Sequence, residues 1–261
     1  MSILVVQLVP EGLLFGADRN ITTELRLGDD VLASGQSQGP KVLKWPNHEI
    51  VVGYVGRAKI GDEHTDEWLY DFIGRNLSTP LPQLAYELKS KLEFDLHGQV
   101  DDESMVLHLG GFVEDAGQWK PQVWYIRNSE APYRARDVKA EFDVREEIPR
   151  YFPGMTGNQI RADVALRAQK WEPFWFHQGY DLGTFNTLDQ VLRAGIGSVV
   201  QSHPDHPHHF PDSLREWSKH LKMAILTYGA YFGAFYEPFE QYVGGGADVV
   251  WAAWPLVAPI Q

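Results

Sequence analysis

Chemistry in this chain can begin at its second residue. Ser2 follows Met1. A small second residue generally permits removal of the initiator methionine, and Ser2 would then carry a hydroxyl and a free α-amine together. The hydroxyl can attack an acyl carbon while the amine, with a pKa near ~8, accepts the proton. Serine is common at this position, so the residue counts only if the terminus is held rigidly. A second group is His203, Asp205, His206, His208 and His209. Dense imidazoles can bind zinc or nickel. Here Pro204 and Pro207 extend the segment, and neighbouring histidines rarely complete a tetrahedral site alone. The expectation is a solvated connection between helices that can respond to pH near neutrality, with no metal and no cofactor. The chain has no cysteine, which excludes disulfides, thiolate metal sites and cysteine nucleophiles.

The elements that must position Ser2 begin directly after it. Residues 3–9 are apolar and β-branched, Pro10-Glu11-Gly12 is a turn, and 13–17 is a second apolar run. The pair reads as a buried hairpin, which ties the terminus into a sheet. Residues 28–40, rich in Gly, Asp, Ser and Gln, read as a loop. Short strands are expected over 41–45 and 49–55. Two helices follow. The first, over 65–76, has Asp66 and Glu67 in its first turn, where acids suit the helix dipole. The second, over 83–93, places Leu84, Leu88 and Leu92 on one face. Strands are expected over 105–113, 123–126 and near Phe142, then helices over 187–200 and 213–236, and a closing strand over 248–254. Ser213 and Glu216 have capping-box spacing. Residues 150–182 are aromatic and give no clear pattern. Helices grouped apart from strands indicate an α+β layered architecture.

Bulk properties fit one large domain over residues 1–261. The chain has 261 residues, 44% hydrophobic and 22% charged, with nine Trp. That is enough to bury a sizeable core. A net charge of −12 without any basic stripe argues against nucleic acid and anionic membranes as partners. No apolar run approaches the ~20 residues that span a bilayer. The N-terminus has neither the basic region nor the cleavage site of a secretory signal, so a cytoplasmic protein is expected.

Order and spacing carry a resemblance. Gly12-Leu13-Leu14-Phe15-Gly16-Ala17-Asp18-Arg19 resembles the second strand of proteasome β subunits and their bacterial relatives. In that family an Asp lies sixteen positions after the catalytic N-terminal residue, as Asp18 does after Ser2. A strand opening with Lys-Val or Lys-Ile matches Lys41-Val42-Leu43, and an apolar strand ending in a glycine turn matches Ile50 to Gly56. The closing Val243-Gly244-Gly245-Gly246-Ala247-Asp248 is similar to the family's final turn and strand. Ser2 stands where the family usually has Thr, and the segment between Asp18 and Lys41 is longer than usual.

The resemblance implies a four-layer αββα N-terminal-nucleophile (Ntn) hydrolase sandwich, with two antiparallel sheets between helix layers. It implies that Ser2 is the nucleophile, with Lys41 beside it favouring loss of its proton, and Lys44 as a rival for that role. Asp18 would orient the lysine, and backbone N–H groups near Gly56 or Arg57 would stabilise the oxyanion. Asp163, Asp181 and Ser198 are unranked candidates for supporting groups. The implied activity is peptide or amide hydrolysis, acting on peptide or unfolded protein within a homo-oligomeric ring. Two other functions are compatible with the same fold: a non-catalytic homologue that only assembles, and a small-molecule amidase or acylase.

Overall fold

The computed structural model describes residues 3–27, 30–46, 48–97, 104–129, 138–170, 174–179, 182–202, 211–235 and 246–255. Its first strand, β1 (Ile3–Val9), turns at Pro10 and Glu11 into β2 (Gly12–Asp18). Every residue of both strands is buried. Strands covered on both faces need no polar alternation, which is why the two runs read as nearly continuous apolar sequence, interrupted in β1 by the buried Gln7. The pair is flanked by β12 (Phe174–Gly179) and β13 (Ala247–Ala253), giving an antiparallel sheet of order β12-β1-β2-β13. A second antiparallel sheet contains β5 (Val42–Lys44), β6 (Val51–Gly56), β9 (Met105–Asp115), β10 (Gln118–Ser129) and β11 (Val138–Glu146), in the order β11-β10-β9-β6-β5.

Side chains of β1 part to two sides. Leu4, Val6 and Leu8 share a buried cluster with Val42, Val51, Val55, Val106 and Val123 of the second sheet. Ile3, Val5 and Val9 instead join Phe185 of α5 (Leu182–Ser202) and Trp217, Leu221, Ile225 and Tyr228 of α6 (Leu214–Phe235). The second sheet behaves likewise. Its other face, with Val52, Tyr54, Leu107, Leu109 and Ile126, packs with Leu69 and Ile73 of α1 (Thr65–Arg75) and Leu84, Leu88 and Leu92 of α2 (Leu81–Asp95). The sheets approach closely at Gly53, where an added Cβ would lie 2.5 Å from a Leu4 methyl. Among the described residues there are six helices, and none is long and apolar enough to cross a membrane.

Two regions differ from the sequence reading. Residues 28–40 do not form a loop throughout: β3 (Asn20–Leu27) pairs with β4 (Asp30–Gln38) as a separate two-stranded ribbon. Antiparallel pairing satisfies backbone groups whatever the side chains, so a composition of low β propensity hid it. The unassigned stretch 150–182 holds α4 (Gly157–Ala168) and β12, after the one-turn α3 (Ile148–Tyr151). A Thr156–Gln159 capping box opens α4. At α6, the Ser213 hydroxyl accepts from Glu216 N–H at 3.4 Å, and Glu216 Oε2 accepts from Asp212 N–H at 3.2 Å.

One titratable group is buried on α6 itself. His220 is 6% exposed, beside the Trp217 ring and near Arg193. Burial first, then the Arg193 charge, lowers its pKa from 6.5 to about 4. The unfolded chain therefore binds this proton from about pH 6.5 downward, and the folded chain only near 4. His220 contributes stability above pH 6.5 that is lost as pH falls towards about 4. The full difference is on the order of 3 kcal/mol. Urea denaturation of wild type and His220→Gln between pH 7.5 and 4.5, on matched samples, should show the wild type losing that increment relative to the variant. Parallel curves would disprove it.

Candidate active site

Asp18 ends β2 at the same edge of the sheet where β1 begins. Its carboxylate has no exposed side-chain surface and each oxygen has a task. Oδ1 accepts from Ile3 N–H at 2.9 Å. Oδ2 accepts from Asn20 N–H at 3.2 Å and from the Lys41 ammonium at 3.0 Å. The carboxylate thus fastens the first residue of β1, the exit of β2 and the entry of β5 to one another. Ser2 lies outside the described residues, but it is covalently next to Ile3, whose N–H this carboxylate holds.

Lys41 immediately precedes β5, and its side chain is 3% exposed. Its carbonyl accepts from Tyr54 N–H at 2.9 Å, and the Tyr54 hydroxyl donates to Pro40 O at 3.3 Å. Tyr54 is buried on β6 and fixes the backbone from which Lys41 projects. Burial pushes the Asp18 carboxyl up, opposed by Lys41 and by the Ile3 N–H. Burial likewise pushes Lys41 down, opposed by Asp18. Both shifts favour the neutral forms, because the loss of water on burial outweighs what the partners return to each charge. Lys44, the rival lysine, instead faces Glu49 at 3.5 Å in a partly exposed pair.

β6 ends at Gly56, two residues beyond Tyr54. Its φ is +102°, and a Cβ there would sit 1.9 Å from Ser104 O. Only glycine meets both conditions. Arg57 follows, 6% exposed, with Nε donating to Lys59 O at 2.8 Å. Its carbonyl accepts from the Thr65 hydroxyl at 2.9 Å. Thr65, Tyr54 and Ser104 were not singled out by sequence reasoning. The one signal for Thr65 was its place before Asp66 and Glu67, which marked a helix start and nothing more.

Of the supporting candidates, Asp163 pairs with Arg167 at 2.7 Å along α4. Ser198 is exposed on α5, and its carbonyl accepts from the Ser202 hydroxyl. Asp181 and the segment 203–209 lie outside the described residues. No cluster of three or more metal-ligating side chains occurs among the described residues.

No family model and no curated protein matches the chain. Solved structures with some likeness include an Anbu (Gly-1) mutant from Hyphomicrobium sp. strain MC1. It shows 13% identity and a TM-score of 0.45, and the match covers 97% of this chain and 83% of that one. Anbu, an ancestral beta-subunit, from Yersinia bercovieri shows 13% identity over 98% of this chain and 82% of that one, with a TM-score of 0.40. Eukaryotic HslV from Trypanosoma brucei shows 12% identity over 95% of this chain and 97% of that one, with a TM-score of 0.38. Likeness at this level assigns neither family nor activity.

The buried pair can be tested without any substrate. Lys41→Met, similar in length but uncharged, leaves the Asp18 carboxylate buried without its cation. Urea denaturation at pH 7 should show a loss of about 3–5 kcal/mol. A loss below about 1 kcal/mol, the range of exposed pairs, would mean the two charges are solvated.

Proposed function

We propose that this chain is a proteasome β-type Ntn hydrolase that cleaves peptide or amide bonds through Ser2 once Met1 is removed. The single observation that carries this reading is the Asp18 carboxylate, which binds Ile3 N–H and the Lys41 ammonium at once. Burying an ion pair costs desolvation that apolar packing would avoid, and here the pair is fastened to the first backbone N–H after a hydroxyl residue. A four-layer αββα arrangement belongs to the same proposal. Its support is the three apolar clusters: one between the sheets, one under α1 and α2, one under α5 and α6.

In the proposed reaction the Ser2 hydroxyl attacks the substrate's carbonyl carbon, and its proton passes to the Ser2 α-amine. Lys41, its proton affinity lowered by burial, eases that loss by its charge and stays oriented by Asp18. The carbonyl oxygen becomes an oxyanion facing N–H groups at Gly56 and Arg57. Collapse of the intermediate breaks the C–N bond, and the departing amine takes the proton. An acyl-serine ester remains, which water hydrolyses to release the acid and restore the hydroxyl. Peptide or unfolded protein is the proposed substrate, and a homo-oligomeric ring in the cytoplasm the proposed setting.

Protein purified without an N-terminal tag should have an intact mass lower by one methionine. It should hydrolyse fluorogenic peptide amides, and Ser2→Ala with Met1 likewise removed should lose that activity to background. Equal rates for the two would remove Ser2 from the mechanism. A mass that retains Met1 would favour a chain that assembles without hydrolysing.

A further inference from the structure

We infer that copies of this chain bind one another head to tail, the lysine-edged outer face of α6 on one copy meeting the acidic outer face of α1 on the next. The inference stands without the hydrolase reading. It names two surfaces from which an oligomer of this chain is built.

The α6 face is unusual for so acidic a chain. Lys41, Lys44, Lys89, Lys91 and Lys139 each hold a carboxylate. Lys219 and Lys222 hold none among the described residues. They lie one turn apart on α6, both exposed, beside a shallow groove formed by Met223, Leu226, Thr227 and Ala230. Met223 is 40% exposed and Leu226 42%. No acid is close along the chain to compensate the lysines: residues 217–235 contain no Asp or Glu, and neither do residues 190–202 of the neighbouring α5. Arg215 adds a cation at the start of the helix, and Glu216 beside it is engaged with Asp212 N–H. An exposed apolar face edged by cations, on a chain of net charge −12, suits an acidic occupant with an apolar centre.

The chain carries such a surface itself. Glu67, Tyr70 and Asp71 are exposed at helical spacing on α1. Tyr70 is 46% exposed, and its ring is stacked on Trp45 at 5.2 Å, which holds it as a fixed platform. Just upstream, strands β7 (Lys59–Ile60) and β8 (Glu63–His64) form a short hairpin that exposes Asp62 and Glu63. Asp71 pairs with Arg75 at 2.9 Å. Asp62, Glu63 and Glu67 form no ion pair among the described residues, and Lys59 offsets only one of them. Each patch has an apolar centre and uncompensated charge, and the signs are opposite.

The two patches face apart within one chain. α1 packs on the outer face of the five-stranded sheet and α6 on that of the four-stranded sheet, with the inter-sheet cluster between them. They can meet only between copies. Because the two surfaces differ, the contact is heterologous and repeats, closing into a ring or running on as a filament. A symmetric contact of α6 on α6 would instead bring four lysines together, which like-charge repulsion opposes.

The test is sedimentation velocity at ~50 mM salt, where exposed charges act at full reach. It compares wild type with two charge reversals at exposed positions, Lys219→Glu/Lys222→Glu and Glu63→Lys/Glu67→Lys. Wild type should sediment above its 29.7 kDa monomer mass. Raising salt to ~500 mM should weaken the association at least about tenfold. Each variant alone should be monomeric, because both of its faces then carry one sign. The two variants mixed should reassemble, since reversed face meets reversed face and native meets native. A monomeric wild type overturns the inference. So does association that survives either reversal, or a mixture that stays monomeric, which would assign the faces to some other contact. If a double reversal gives no folded protein by circular dichroism, Lys222→Glu and Glu67→Lys are read by the same criteria. Hydrolysis is not measured, so loss of the hydrolase reading leaves this contact standing, and loss of the contact leaves that reading.

Discussion

The buried ion pair between Asp18 and Lys41 constrains everything around it. Two charges withdrawn from water cost several kcal/mol each unless geometry and further hydrogen bonds repay it. The structure meets that condition by using both carboxylate oxygens, one on Ile3 N–H and the other on Asn20 N–H and Lys41. Asp18 belongs to one sheet and Lys41 enters the other, so the pair also bridges the sheets. The position of the chain terminus, the relative height of the sheets and the protonation of the lysine are therefore one problem with one solution.

Apolar packing supplies a different part of that solution. The cluster between the sheets is non-directional and would tolerate a small slide of one sheet over the other. Directional contacts limit such freedom: the ion pair at the strand ends, and Gly53, whose missing side chain is filled by Leu4. The outer clusters under the helix pairs add the burial needed to offset chain entropy. Burial holds the layers together, and a few polar contacts set how they align.

Much of this was legible in the sequence, for physical reasons that differ between elements. Strands β1 and β2 were visible because burial on both faces favours long apolar runs, here interrupted only by Gln7 before Asp18 closes β2. Helix α2 was visible because it covers a sheet on one side and keeps a leucine stripe. Asp18 and Lys41 were reached only through spacing shared with a known family, since nothing local marks a buried Asp or Lys before its partner is seen. The β3–β4 ribbon was missed because its strands are stabilised by mutual pairing and carry no strong β composition. Thr65 was missed for a related reason. Its contact with Arg57 depends on a hairpin of two-residue strands, too short to leave a pattern in sequence.

The ribbon's placement has a consequence for how this chain can vary. It leaves the body just after Asp18 and returns just before Lys41. Its base is stitched by Gly39 N–H to Arg19 O and by Asn20 N–H to the Asp18 carboxylate. Among the described residues its two strands pair only with each other. Closing a longer excursion costs little, about 0.6 kcal/mol for each doubling of length. The far end of the ribbon is thus a port where peptide can be gained or lost over evolutionary time, or grafted deliberately, while the two charges at its root keep their separation.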